Sequence, residues 1–143
     1  MIVLDTNVLS ALMREVPERP VVDWLDRQAA ESIWITSITL FEARLGLALL
    51  PKGRRRKALE SAFDKLLVED LEGRVLDFDQ PAAEAAAQLA AGRQRAGHTI
   101  DMRDTQIAGI VVARRAELAT RNVRQFSDLN VDVINPWDVK SSV

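Results

Sequence analysis

The chain has 143 residues, 48% of them hydrophobic and 28% charged, with a formal net charge of −2. That supplies the core of one domain and excludes a general polycation, so a nucleic acid would be held by a local basic cluster or a bound cation. There is no cysteine, which excludes a disulfide framework, a thiolate metal site and a thiol nucleophile, and suits a reducing, cytoplasmic setting.

In chain order, Ile2-Val3-Leu4 reads as a short buried strand and residues 7–13 as the helix after it. That apolar run is too short for a signal-peptide core, and no stretch approaches the roughly 18 apolar residues of a membrane span. VVDWLDRQAA (21–30) has helical spacing, with Pro17 and Pro20 marking its start. SIWITS (32–37) is β-branched and aromatic, which predicts a strand. TLFEARLGLALL (39–50) predicts a helix stopped by Pro51 and Gly53, and residues 54–70 another. RVLDF (74–78) is a strand, and alanine-rich 81–97 a helix with Pro81 in its first turn. A helix over 101–115 and the strands ELAT (117–120) and VDVI (131–134) complete the series. Apolar strands alternating with helices predict an α/β fold with a parallel sheet covered on both faces.

On this reading Asp5 ends the first strand. Glu42 and Asp104 lie in the first turns of two helices, and Asn122 follows a late strand by two residues. Strand C-termini and following helix N-termini share one sheet edge, so the four groups converge there. Each has a plainer use. Thr39-Leu-Phe-Glu42 fits a capping box, Asp101-Met-Arg-Asp104 is a weaker version, and Asp5 can cap the helix it precedes. Capping does not require a shared pocket, whereas carboxylates about 4 Å apart repel by roughly 4 kcal/mol per pair at an effective dielectric of about 20. A hard divalent cation, Mg²⁺ or Mn²⁺, is the natural reason to gather them.

Together, IVLDTNVLSAL, ITLFEARLGLALLPKGRRRKAL, DMRDTQIAGIVVARRAELATRNVRQF and the closing DVINPW resemble the PIN domain, and more closely the VapC-type toxins of bacterial toxin–antitoxin pairs. The resemblance implies a single-domain three-layer fold: a central parallel five-stranded sheet with helices on both faces, here over 1–137, with a tail at 138–143. It implies a Mg²⁺- or Mn²⁺-dependent endoribonuclease that inhibits translation, a homodimer, and an antitoxin partner through which alone DNA would be met. By position, Asp5, Glu42 and Asp104 match the family's three acids. The fourth acidic position is Asn122, which contributes no charge and weakens the case for a second metal. Thr6 and Thr120 match hydroxyl positions beside the pocket, though ordinary cap and strand-end uses fit them equally.

The implied reaction is hydrolysis of an RNA phosphodiester by a metal-activated water. His98 is the only histidine, which excludes catalysis by a histidine pair. Arg121 and Arg124 flank Asn122 and are candidates for holding substrate phosphates. Lys52, Arg54, Arg55, Arg56 and Lys57, with Arg44 nearby, form either a solvated helix face or a second phosphate track. Trp24, Trp34 and Trp137 are too scattered for a base-stacking platform and suit core packing or a dimer contact.

Rival readings fare worse. A haloacid-dehalogenase-type phosphatase wants an Asp where Asn7 stands, and a receiver domain wants a late lysine where only Lys140 is available. Flap-type DNA nucleases carry more acids and longer insertions. A catalytically weak PIN-fold module that binds RNA or a partner is the alternative that Asn122 keeps open.

Overall fold

The computed structural model describes residues 1–139; the last four residues of the tail expected at 138–143 lie outside them. Strand β1 (Ile2–Leu4) leads through α1 (Thr6–Leu12) and α2 (Arg19–Asp26) to β2 (Ile33–Thr36). Helices α3 (Ser37–Ala48) and α4 (Arg54–Lys65) carry the chain to β3 (Val75–Leu76). Then α5 (Gln80–Arg95) and α6 (Met102–Arg114) return it to β4 (Glu117–Ala119), and a short turn at Val123–Phe126 precedes β5 (Val133–Ile134).

The five strands lie in the order β3-β2-β1-β4-β5, all parallel. β1 is central and buried along its whole length, which is why its three residues are all apolar. Ile2 and Leu4 face the layer of α1 and α2, with Val8, Val21 and Trp24. Val3 faces the layer of α5 and α6, with Ile107, Ile110 and Phe126. A smaller cluster of Leu9, Leu47 and Phe63 ties α1, α3 and α4 together. Fully burying each such side chain contributes about 1.5–3 kcal/mol.

The alanines of α5 serve close packing. A Cβ added at Gly109 of α6 would lie 2.5 Å from the Ala82 carbonyl oxygen and 2.7 Å from Ala86 Cβ, so only small residues fit this crossing. Trp24 is core and Trp34 packs against the core from its edge.

Helix boundaries shift by several residues from expectation, α4 ending at Lys65 rather than residue 70, and in α2 and α3 the side chains show why. α2 ends at Asp26 because the Gln28 side-chain amide donates to the Trp24 carbonyl oxygen at 3.1 Å, where a further turn would need it. α3 begins at Ser37, not Thr39: Thr36 caps it, its hydroxyl accepting from the Thr39 N–H at 3.1 Å. Glu42 is therefore in the second turn, and Thr39-x-x-Glu42 is not a capping box.

Candidate active site

The strand order makes the chain run outward from β1 to β3, then cross back to β4 on the other side of β1. Ligands in open parallel sheets bind at such a reversal, beyond the strand C-termini. Leu4 pairs with Ala119, and the next residues on the two strands are Asp5 and Thr120. The Asp5 N–H donates to the Ala119 carbonyl oxygen at 2.9 Å, fixing the aspartate to the end of the sheet.

Asp5 is 3% exposed. Oδ1 accepts from the Thr6 N–H at 2.8 Å, so Asp5 does cap α1. Oδ2 accepts from the Thr120 hydroxyl at 2.8 Å and the Asn7 amide at 3.2 Å. Burial raises its pKa above the ordinary 3.8 and Glu42 adds to the rise, while Thr120, the Thr6 N–H and Asn7 oppose it.

Glu42 reaches the site from α3. Its Oε1 accepts from the Thr6 hydroxyl at 2.9 Å, and Oε2 pairs with Arg103 of α6 at 3.0 Å. Thr6 in turn lies 3.1 Å from the Thr39 hydroxyl, which accepts from Thr36 at 3.4 Å. Each hydroxyl carries one proton, so these contacts order as a relay: Thr36 to Thr39 to Thr6 to Glu42.

Asp104 stands in the first turn of α6, capped by Asp101, whose Oδ1 accepts the Asp104 N–H at 2.9 Å. Its carboxyl is pushed up from 3.8 to about 6, first by burial and then by the negative charges of Asp5, Asp101 and Glu42. The three acids from three distant segments thus sense one another.

Asn122 is exposed, and its backbone N–H donates to the Thr120 hydroxyl at 3.1 Å. Thr6 and Thr120 both bond to the acids directly. Arg121 holds its guanidinium 4.7 Å over the Trp137 ring, and its N–H donates to Asn7 Oδ1 at 3.2 Å. Arg124 is exposed and lines a cleft of about 810 Å³ together with Asp104 and His98.

In the basic run, Arg56 pairs with Glu60 at 2.6 Å; nearby Arg44 pairs with Asp64 at 2.6 Å and stacks on Phe63. Arg55 lines a groove of about 490 Å³ that also takes in Thr6 and Glu42.

Sequence reasoning missed Asn7, Thr36, Thr39 and Arg103. Asn7 stood two residues beyond Asp5, on the turn that faces it, and could have been found. Thr39 was read only as a cap, and nothing local marked Arg103.

The donors are all hard oxygens and the acids repel one another, which fits a divalent cation in chemistry. Among the described residues, no three acidic or histidine side chains already stand in metal-holding positions. Glu42 is turned toward Thr6 and Arg103.

Comparison with known proteins identifies the family. VapC ribonuclease Y4jK of Sinorhizobium fredii is 40% identical over 138 residues, 96% of this chain and 99% of that protein. Toxin FitB of Neisseria gonorrhoeae is 36% identical over 137 residues, covering 96% and 99%. The solved structure of FitAB bound to an IR36 DNA fragment superposes with a TM-score of 0.89 at 35% identity, covering 100% of both chains. With the PIN-domain family model matching residues 2–131, the chain belongs to the PIN-domain family.

Proposed function

We propose that the protein is the toxin of a toxin–antitoxin pair, a metal-dependent endoribonuclease that hydrolyses RNA phosphodiesters and so inhibits translation. The observation that carries this reading is Asp5: a buried carboxylate at the sheet's switch point, electrostatically coupled to Glu42 and Asp104 and, among the described residues, bonded to no cation of the protein. A carboxylate held there against its own desolvation is explained by a ligand of opposite charge. The relatives named as a ribonuclease and a toxin support the same reading.

Asp5, Glu42 and Asp104 would hold Mg²⁺ or Mn²⁺. A cation so held supplies a polarised phosphoryl oxygen and a bound water acidic enough to attack near neutral pH. The chain's own residues prepare this. Thr120, Asn7 and the Thr6 N–H fix both oxygens of Asp5, and the hydroxyl relay fixes one oxygen of Glu42. Arg124 lines the same cleft as Asp104, which supports a contact with a substrate phosphate.

The FitAB assembly supports an antitoxin partner, with DNA reached through that partner. The exposed stripe Phe41, Leu45 and Leu49 on α3 is assigned to a second copy in a homodimer. No helix among the described residues is long and apolar enough to cross a membrane, and the working location proposed is the cytoplasm.

The test is RNA cleavage by wild type, Asp5→Asn and Asp104→Asn with Mn²⁺, Mg²⁺ or EDTA. Both variants should fold and neither should cleave, and EDTA should silence the wild type. Exposed, uncharged Asn122 favours a second reading, a PIN-fold binding module. Calorimetry separates the two: an enzyme binds Mn²⁺ and loses it with Asp5→Asn, whereas a module binds RNA without metal.

A further inference from the structure

We infer that Arg93 is a positioning residue for this site: its guanidinium sets the spacing between the first turn of α6, which carries Asp104, and residues 122–128, which carry Asn122 and Arg124. The inference rests on the functional reading above.

Arg93 lies in the last turn of α5 with its side chain only 10% exposed. Nε and Nη2 donate to the two oxygens of Asp128 at 2.8 and 3.0 Å. Nη2 also donates to the Gln125 carbonyl oxygen at 3.0 Å, and Nη1 to the Thr105 hydroxyl at 3.1 Å. Thr105, 1% exposed and next to Asp104, passes its proton to the Asp101 carbonyl oxygen at 2.7 Å. Among the described residues no other hydrogen bond joins α6 to residues 122–128.

The planar fork matters here. Lysine has three donors on one atom and cannot span a bidentate carboxylate, a carbonyl and a hydroxyl at once. α5 is itself anchored at that end: Gly97, at φ 77°, closes a cap in which the His98 N–H donates to the Arg93 carbonyl oxygen at 2.9 Å. Arg93 therefore projects from a fixed point, and the two walls of the cleft next to Asp104 are referenced to it.

Arg74 provides the control. It is similarly buried, with its side chain 13% exposed, and donates to the Ile33, Ala30 and Asp70 carbonyl oxygens. Those contacts lie at the entries to β2 and β3, the opposite sheet edge from Asp5. Loss of Arg74 tests general stability without touching the site.

The experiment compares wild type, Arg93→Lys, Asp128→Asn and Arg74→Lys, well below each melting temperature. Arg93→Lys and Asp128→Asn should each weaken Mn²⁺ binding by about tenfold in calorimetry and lower kcat by about tenfold with little change in KM, as for other residues that orient ligands. The double variant should lose no more than the worse single one. In metal-free protein, amide exchange should quicken together at 101–106 and 122–128 and not in β1. Arg74→Lys should lower the melting temperature and leave Mn²⁺ affinity unchanged. If Arg93→Lys matches Arg74→Lys in all of these, the inference is overturned while the nuclease reading stands. If wild type neither binds Mn²⁺ nor cleaves RNA, both fall.

Discussion

Thr120 donates its hydroxyl to Asp5 Oδ2 at 2.8 Å across 115 residues of sequence, while accepting from the Asn122 N–H. This one fully buried oxygen joins the ends of β1 and β4 and references Asn122 to Asp5. Thr120→Val keeps the volume and removes the donor. Leaving a buried carboxylate oxygen short of a partner should cost about 1–3 kcal/mol in urea denaturation, and Mn²⁺ binding should weaken as well. Unchanged values for both would mean that Asn7 and the Thr6 N–H suffice to hold the Asp5 carboxylate.

The acids predict a pH signature. Asp104 is raised in the folded state from 3.8 to about 6, so the folded, metal-free protein binds this proton more tightly than the unfolded chain. The stability it contributes is fully present below about 3.8 and is lost as pH rises through about 6. Asp5 is shifted in the same direction and has the same sign. Asp128, held below its ordinary value by Arg93, works oppositely, so the comparison has to be between proteins. Asp104→Asn should gain stability over wild type progressively across that window in EDTA. Saturating Mn²⁺ should erase the gain, and a pH-independent difference would refute the repulsion.

Arg103 pairs with Glu42 Oε2 at 3.0 Å and is exposed. On the proposed reading it would compete with a cation for that carboxylate. Arg103→Ala should tighten Mn²⁺ binding by about two- to fivefold, the equilibrium equivalent of an exposed ion pair of about 0.5–1 kcal/mol. Weaker binding in calorimetry would instead make Arg103 part of the holding apparatus.

Asn122 brings no charge to the site. Asn122→Asp restores one at nearly constant volume and should shift the Mn²⁺ titration of RNA cleavage to lower concentration. If Asn122 serves instead through its N–H groups, the variant should show a lowered plateau at saturating metal.

The layers of the fold were legible in the sequence because buried parallel strands are continuous apolar runs and helices keep their period. Ile2-Val3-Leu4 and the 101–115 segment needed no tertiary information. The start of α3 was misread because Thr39-x-x-Glu42 has the spacing of a capping box, whereas Thr36 one turn earlier does the capping. Asp5 and Asp104 could be singled out because each sits at a junction that the strand–helix alternation marks, whereas Glu42 was singled out from a first-turn position that the structure moves to the second turn. The contacts of Thr6 with Glu42 and of Arg103 with Glu42 span 36 and 61 residues. Such pairings follow from how layers stack, which no local window contains.

The strand order has a consequence for synthesis. β1 is made well before one of its two neighbours, β4, which is not complete until Ala119. At about 5–20 residues per second, roughly ten seconds separate Asp5 from Thr120 on the ribosome. During that interval the aspartate lacks both the Ala119 carbonyl and the Thr120 hydroxyl that seat it. On the proposed nuclease reading, chains stalled at residue 110 should therefore show no metal-dependent RNA cleavage. An all-local arrangement of the same acids would arm the chain early; placing the last fastening after residue 117 delays it by more than a hundred residues of synthesis.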